Sequence, residues 1–365
     1  MKKINKELFL NLISDCQSLN FSTTLHSNLL KEFKIKNKIF YKVNGSDSLS
    51  VYHDLLNKRF LSGIPVSKVA NAFVKEKSYL DFLEPHTFSY NFLRLDLSSF
   101  FHSINRSQVL SSLSHYIEDC YIDDSNKLSL LDAICNSVTY KVVEESKNTS
   151  VIGKTIVPIG LRTSPSISNI IFRKVDLLIE RVCTKHNITY TRYADDLLFS
   201  SSRANSFVHS KRFVDEVAYI LSLENFKLNR RKTVIAKHTI SINGYVIENP
   251  SSLSEDLAKI KISNKKTKAI EKFLYHLNRG DSDKKVLTDL FKFKVDRKTF
   301  MFFPPSDDFL KTYCKQQVIN KLQGFRSYLL SFHSFQIKTN SIDSLFLKKS
   351  SNLLKAIEKE INKRV

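Results

Sequence analysis

Apolar residues recur along this chain with two spacings, one typical of helices and one typical of strands. Leucines and Phe33 recur among polar residues in positions 1–40 and predict helices there. A long helix is predicted from Ser166, which can cap it, because isoleucine, valine and leucine return every three or four positions as far as Val182. Further helical patterns cover 107–117, about 207–223, and the chain from Ile262 onward, apart from breaks near Gly280 and at Pro304-Pro305.

Shorter apolar runs between these helices predict strands. One run covers 92–97 and contains the acid Asp96 near its end. The other predicted strands cover 188–190, 197–200, 233–236 and 240–247. This mixture of helices and short strands fits an α+β fold.

Two adjacent acids lie between two of the predicted strands, in Tyr193-Ala194-Asp195-Asp196. Asp favours turns, so the tetrapeptide alone is also consistent with plain turn chemistry. The order strand, helix, hairpin lets Asp96 and Asp195 lie side by side at the ends of neighbouring strands. Such a carboxylate pair can hold two metal ions about 3.5–4 Å apart for phosphoryl transfer, and oxygen ligands suit Mg²⁺. Because successive strand residues point to opposite faces, Asp196 is expected to contribute less directly than Asp195.

The charge of the chain predicts a polyanionic partner. The 365 residues carry a formal net charge of +21, and nucleic acid is the simplest partner for such a surplus. The surplus is uneven, because 28 of the 57 Lys and Arg residues but only 13 of the 36 Asp and Glu residues lie from Arg230 onward. The last third of the chain is therefore expected to grip a phosphate backbone.

The cysteines and the hydropathy predict a cytoplasmic protein. Five scattered cysteines form no CxxC pair, which argues against a zinc site or a disulfide framework and for a reducing compartment. No apolar run approaches the roughly 20 residues of a membrane span. A soluble protein without a membrane partner is expected.

Five segments, in order along the chain, resemble the conserved motifs of the reverse transcriptases. They are 95–104 (motif A), 158–169 (motif B), 193–196 (motif C), 225–233 (motif D) and 242–245 (the primer-grip turn). Residues 72–78 also resemble the fingers segment of prokaryotic members. The resemblance implies a right-hand polymerase, with a small antiparallel palm sheet backed by helices. It places the N-terminal helices and fingers in 1–90, the palm in 91–250 with part of the fingers inserted at about 105–160, and a basic helical thumb in 251–365.

The resemblance also implies the catalytic residues. It places two Mg²⁺ ions, or Mn²⁺ as a substitute, on Asp96, Leu97, Asp195 and Asp196. Lys232 matches the motif D lysine, which stabilises or protonates the leaving pyrophosphate. The fingers cation that clamps the triphosphate is left open among Lys38, Lys42 and Lys58.

Nucleotide selection is implied for a second group of residues. Phe101 matches the aromatic steric gate whose ring excludes a 2′-hydroxyl, which favours a DNA product, although it is also consistent with a core phenylalanine. Ile159 replaces the glutamine that most family members carry before Gly160, so template dependence is left open. Asn169 is expected to reach the nucleotide or template, and Tyr193 to pack near the primer end.

The basic helix expected to begin at Lys259 supplies the nucleic-acid contacts. The residues expected to track a phosphate backbone are Lys261, Lys265, Lys266, Lys268, Lys272 and Arg279. Binding of this kind weakens steeply with salt.

The function implied by the resemblance is RNA-directed DNA synthesis from dNTPs, on an RNA template or a cognate noncoding RNA. A short chain with an altered motif B most resembles bacterial defence-associated reverse transcriptases of the abortive-infection and unknown-group lineages, which implies a role against phage. Alternatives are an untemplated or protein-primed DNA polymerase, a retron-type enzyme, and a non-catalytic RNA-binding scaffold. A retron enzyme is disfavoured because the Asn-Ala-x-x-His and Val-Thr-Gly signatures are missing. A homo-oligomer or a partner effector protein is left open.

Overall fold

The computed structural model describes residues 3–14, 19–35, 38–45, 47–123, 125, 127–249, 259–293 and 306–364. The break predicted at Pro304-Pro305 lies outside these residues. The chain forms two compact units. The first comprises Met1–Phe82 and Leu93–Ile235, and the second comprises Leu83–Phe92 and Ala236–Val365.

The elements of both units are numbered in chain order over the described residues. The α-helices are α1 (Lys6–Ile13), α2 (Asp47–Arg59), α3 (Tyr79–Leu83), α4 (Arg106–Leu113), α5 (Leu130–Val138), α6 (Ser164–Lys185), α7 (Lys211–Leu223), α8 (Asn264–Asn278), α9 (Asp283–Phe291), α10 (Asp307–Thr339) and α11 (Ser344–Asn362). The strands are β1 (Leu30–Ile35), β2 (Lys38–Val43), β3 (Asn91–Asp96), β4 (Tyr121–Asp123), β5 (Leu128–Ser129), β6 (Tyr140–Lys141), β7 (Thr155–Ile156), β8 (Thr189–Tyr193), β9 (Asp196–Ser201), β10 (Val234–Lys237), β11 (Thr239–Ile242), β12 (Tyr245–Glu248) and β13 (Lys259–Ile262).

A four-stranded sheet in the order β10-β3-β9-β8 carries the predicted motifs A and C. Strands β8 and β9 pair antiparallel from Thr189↔Ser200 to Tyr193↔Asp196. Strand β9 is buried along its whole length and β3 almost so, because helices cover the sheet. The strand predicted over 92–97 and the hairpin around the acid pair are confirmed.

The core behind motif A is built from aromatic rings. Phe100 contacts Phe172 and Phe226 at centroid distances of 5.5 and 5.7 Å, and Phe172 contacts Phe226 at 4.9 Å. Phe172 lies on α6 and Phe226 follows α7. The rings therefore fix the segment after β3 against both helices.

The prediction of helices throughout 1–40 is wrong for residues 30–35 and 38–40. Strands β1 and β2 pair antiparallel there, with Leu30 opposite Val43. Phe33 stacks on Phe40 across the two strands at 5.7 Å. Branched and aromatic side chains are frequent here, and such residues favour strands. Pairs of them on neighbouring strands add to the stability of the sheet.

Helix α6 begins two residues before the predicted cap. Its first residue is Ser164, its N-cap position is Thr163, and Pro165 lies in the first turn. Proline suits that turn because its missing N–H is not needed there. Ser166 is therefore inside the helix, and its prediction as the cap is wrong.

The second unit contains the three-stranded meander β11-β12-β13 and helices α8–α11. Asn243 and Gly244, both with positive φ, make the turn between β11 and β12, as expected for a two-residue hairpin. The basic helix predicted from Lys259 is wrong over its first residues. Lys259–Ile262 is strand β13, because its lysines and isoleucines alternate and every isoleucine is buried. Among the described residues, no helix combines the length and the apolar character that crossing a membrane requires.

Candidate active site

Ala194 and Asp195 form a two-residue turn between β8 and β9, and Asp196 is the first residue of β9. Ala194, at the turn, has φ of 56°. The Leu97 N–H donates to the Asp195 carbonyl at 3.0 Å, which ties the turn to the segment after β3. The Asp195 side chain is 31% exposed. The turn thus presents Asp195 beside the end of the strand that carries Asp96.

A buried ion pair supports this turn from beneath. Arg192 and Asp176 are completely buried, and the Arg192 guanidinium donates to both carboxylate oxygens of Asp176. Its Nη1 also donates to the Ala194 carbonyl at 3.3 Å, and it lies 4.6 Å over the Phe172 ring. The pair had not been singled out from the sequence, although an arginine directly before the motif is a usable signal.

A cavity of about 770 Å³ lies in front of Asp96 and Asp195. The predicted site residues that line it are Asp96, Leu97, Phe101, Ile159, Gly160, Asp195 and Lys232. Of the three lysines left open for the triphosphate, Lys38 lines the cavity, whereas Lys42 and Lys58 do not. Residues distant in sequence thus meet around one space.

Cations already contact the two cavity carboxylates. Lys232 Nζ lies 2.9 Å from Asp96 Oδ1 and 3.0 Å from Oδ2. Lys38 Nζ lies 3.7 Å from Asp195 Oδ2. The backbone brings Lys232 there, because Asn229 N donates to the Asp96 carbonyl at 2.7 Å and the 3₁₀ turn Arg230–Lys232 follows.

Asp196 has a different partner from Asp195. Arg94 donates to its Oδ1 from Nε at 2.9 Å and from Nη2 at 2.6 Å. Both side chains are largely buried, and Asp196 is not among the described residues that line the cavity. Asp195 lies in the turn, whereas Asp196 is the first residue of β9, and the two acids therefore have different neighbours. Arg94, two residues before Asp96 on the same strand, was missed from the sequence, because no local pattern joins it to an acid 102 positions away.

Tyr193 and Asn169 are also not among the described residues that line the cavity. The Tyr193 ring packs on Tyr79 at 4.6 Å and on Phe82 at 5.8 Å. Asn169 is 1% exposed, and its Nδ2 donates to the Ala72 carbonyl at 2.8 Å. The Asn169 amide thus holds a neighbouring loop within the protein.

Gly160 is required by a contact with strand β2. Its φ is 112°, and a Cβ there would lie 2.3 Å from the Tyr41 carbonyl oxygen. Tyr41 N also donates to the Ile159 carbonyl at 2.8 Å. The glycine therefore permits a close approach between backbones inside the protein.

His102 lines the cavity beside Phe101. Burial, together with the positive charge of Lys38, lowers the pKa of His102 to about 4. Asn148 Nδ2 lies 3.3 Å from its Nδ1. The imidazole is therefore neutral at physiological pH.

The chemistry of the cavity fits a divalent metal held by few protein ligands. Asp96 and Asp195 supply carboxylate oxygens, and Leu97, whose N–H is already used, has only its carbonyl oxygen to offer. No group of three or more His, Cys, Asp or Glu side chains able to hold a metal occurs in the described ranges. Mg²⁺ is commonly bound by one or two carboxylates plus substrate phosphates and waters, so the donor set suits it.

The six predicted nucleic-acid contacts of the second unit divide into two groups. Lys265, Lys268 and Lys272 are exposed on α8, and no partner is seen for them within the described part of the chain. The others have partners: Lys261 pairs with Glu248, Arg279 pairs with Asp281 at 3.0 Å, and Lys266 lies 4.9 Å from the rings of both Tyr245 and Tyr328. Burial lowers the pKa of Lys266.

A four-stranded sheet with Asp96 and Asp195 at the ends of its inner strands, facing a cavity with an aromatic ring, is the arrangement of a polymerase palm. The family model described as "Reverse transcriptase (RNA-dependent DNA polymerase)" matches residues 25–247. The chain belongs to this family. The predicted family and the predicted α+β polymerase fold are confirmed.

Similar curated proteins include retron reverse transcriptases. The retron Ec83 reverse transcriptase of Escherichia coli is 29% identical over 191 residues, 52% of this chain and 58% of that protein. The retron Ec86 reverse transcriptase of Escherichia coli is 25% identical over 228 residues, 62% of this chain and 61% of that protein. The chain thus spans about three fifths of the length of these relatives. Solved structures with some likeness include a telomerase of Candida albicans in complex with a telomeric RNA fragment. It is 14% identical, with a TM-score of 0.43, and the match covers 98% of this chain and 68% of that one. A TM-score this low supports no conclusion about fold or function.

Proposed function

We propose that the protein is an RNA-directed DNA polymerase of retron type, which makes DNA from dNTPs on an RNA template. The observation that carries this is the meeting of Asp96, Asp195 and Phe101 around one cavity in a chain of the reverse transcriptase family. The similarity to retron enzymes supports this alternative over the other prokaryotic lineages, despite the two missing signatures.

Asp96 and Asp195, with the Leu97 carbonyl, would hold Mg²⁺. When bound, two such ions activate a 3′-hydroxyl and stabilise the leaving pyrophosphate. Asp196 joins this set only if Arg94 releases it. In our proposal Asp196 therefore acts mainly by keeping Arg94 and the hairpin in place.

The other cavity residues bind and select the nucleotide in this proposal. Lys38 and Lys232 place two positive charges beside the carboxylates, where they can hold the triphosphate and the pyrophosphate. Phe101 excludes a 2′-hydroxyl by its bulk. Gly160 and Ile159 shape the wall opposite, while Asn169 and Tyr193 act from within the protein on the segments that they hold.

The second unit would bind nucleic acid through α8 in this proposal. Lys265, Lys268 and Lys272 recur every three or four residues on α8 and so share one face. We assign fingers to 1–90 and about 105–160, the rest of 91–250 to the palm, and 251–365 to the thumb. A cognate noncoding RNA, a role in defence against phage and a cytoplasmic location complete the proposal.

Untemplated DNA synthesis is the second candidate. It is favoured by Ile159, which lines the cavity where most family members carry a glutamine. An apolar side chain there removes a polar contact near the nucleotide and weakens the link between template and incoming base.

Purification with the bound nucleic acid retained tests both candidates. RNA and DNA are sequenced, and labelled dNTP incorporation is measured before and after nuclease removal of RNA. Templated synthesis predicts that incorporation stops without RNA, whereas continued incorporation supports the untemplated candidate. Asp195→Asn should abolish incorporation, while Asp119→Asn, which changes an exposed acid elsewhere, should not.

A further inference from the structure

Phe73 combines an exposed ring with a strained backbone. Its side chain is 52% exposed, and its φ is 60°, in the left-handed region that aromatic residues rarely adopt. Such a conformation costs on the order of 1–3 kcal/mol and persists only where the surroundings impose it, most often at ligand sites.

The loop that carries Phe73 is fastened on both sides. Asn169, from α6, donates to the carbonyl of Ala72, the residue directly before Phe73. Asn71 N donates to the Arg192 carbonyl on β8 at 2.8 Å. These contacts connect the loop to the helix of motif B and to the strand that leads into motif C, so the strained conformation is imposed by the palm.

The Phe73 ring lies against the predicted gate. Its centroid is 6.3 Å from that of Phe101, with a 58° interplanar angle, and both rings line the same cavity. Phe101 also contacts Phe100, a core ring, at 5.2 Å. Phe101 thus packs against one core ring and one exposed ring. A steric gate excludes a hydroxyl only if it cannot swing aside, so a ring packed against the gate bears on its selectivity.

We propose that Phe73 is the second half of the sugar gate: it holds Phe101 in place and offers its own exposed face to the sugar of the incoming nucleotide. This inference rests on the proposed function, since it concerns the same cavity. It accounts for the strained backbone and the exposed ring of Phe73. It also gives a role to the buried Asn169, which positions Phe73 through its hydrogen bond to the Ala72 carbonyl.

Substitution by glycine separates function from stability. Phe73→Gly removes the ring and also relieves the strain, since glycine adopts positive φ readily. The unfolding temperature should therefore not fall. The ratio of kcat/KM for a dNTP over the matching rNTP should fall about tenfold, the scale on which a small change in an apolar pocket alters discrimination.

Control variants locate the effect. Phe88→Ala, at a phenylalanine that is 69% exposed, should leave the ratio unchanged. Asn169→Ala should lower it in the same direction as Phe73→Gly. Phe101→Val should lower it most. Adding Phe73→Gly to Phe101→Val should have a smaller effect than Phe73→Gly has alone, because only the direct contact of Phe73 with the sugar is then left to lose.

A binding measurement decides the question without turnover. With Mg²⁺ present, dGTP should raise the unfolding temperature of the wild type more than GTP does, and Phe73→Gly should remove most of that difference. A Phe73→Gly protein that keeps both the kinetic ratio and the thermal difference would overturn the proposal. A wild type that binds dGTP selectively but incorporates no dNTP would overturn the proposed polymerase and leave the gate standing.

Discussion

Lys232 Nζ donates to both carboxylate oxygens of Asp96, at 2.9 and 3.0 Å. The Asp96 side chain is 5% exposed, whereas that of Lys232 is 52% exposed. In the proposed function a divalent ion would bind one of these oxygens and bring a second positive charge beside Lys232. The motif D lysine and such an ion would therefore compete for the same carboxylate.

Replacing Lys232 should separate metal binding from catalysis. Lys232→Met removes the competing charge, so Mn²⁺ should bind more tightly, as measured by the loss of the free-ion signal in electron paramagnetic resonance. The same change removes a group that stabilises the pyrophosphate, so kcat should fall about 100-fold. Lys227→Met, at an exposed lysine nearby, serves as the control. Unchanged Mn²⁺ affinity in Lys232→Met would contradict the competition.

Arg94 should matter for folding through Asp196. Arg94→Met leaves a largely buried carboxylate without its charge partner, which costs on the order of 3–5 kcal/mol. The double variant Arg94→Met with Asp196→Asn should recover most of that loss, because the uncompensated charge is gone. Urea unfolding of the wild type, the single variant and the double variant measures both effects. A single variant as stable as the wild type would show that the pair is not needed.

A methyl group at Gly160 should destabilise the protein far more than one at Gly153. Both glycines have positive φ, but only Gly160 faces the Tyr41 carbonyl at 2.3 Å from a built Cβ, while nothing lies within 4 Å of Gly153. Gly153→Ala should cost about 1 kcal/mol from the backbone alone, and Gly160→Ala about 3 kcal/mol. Denaturant unfolding compares the two. Equal losses would contradict the close backbone contact.

Stability should fall on acidification between about pH 6.5 and 4. Burial lowers the pKa of His53 to about 4, with a further contribution from the charge of Arg162, and burial similarly lowers that of His102 to about 4. The unfolded chain, with an ordinary histidine pKa near 6.5, therefore binds more protons in this window. Each group contributes stability above pH 6.5 that is lost as the pH falls, by up to about 1.4 kcal/mol per pH unit.

Unfolding temperatures measured from pH 7.5 to 4 check this dependence. His53→Gln should flatten the pH dependence because it removes one titrating group. His115→Gln, at an exposed histidine, should keep the steep dependence because His53 and His102 remain. An unchanged slope in His53→Gln would rule out this histidine as a source of acid sensitivity.

Local sequence patterns predicted many of the helices and strands but not which segments pack against one another. The strand that contains Asp96 and the hairpin at Asp195 were predictable because their apolar runs are short and bounded by turn residues. The pairing of β1 with β2 was not, because Leu30 and Phe33 also fit a helical spacing, and only the packing of the folded chain decides between helix and strand. Lys259 and Lys261 were read as helical because their charge concealed the alternation with isoleucine.

Some residues of the candidate site were likewise predictable from the sequence, and others were not. Motif order was enough to bring Asp96, Asp195 and Phe101 together as candidates. The partner of Asp196 was out of reach, since Arg94 lies 102 positions away in sequence. Phe73 could not be singled out from the sequence either, because it is distinguished by its positive φ and by the exposure of its ring, which only the folded chain shows.

Labelled dTTP incorporation on a poly(rA) template with an oligo(dT) primer and Mg²⁺ tests the central claim most directly. The wild type should extend the primer, and Asp96→Asn and Asp195→Asn should each reduce extension to background while unfolding at the wild-type temperature or above it. Extension by either folded variant at a rate near that of the wild type would contradict the assignment of the active site.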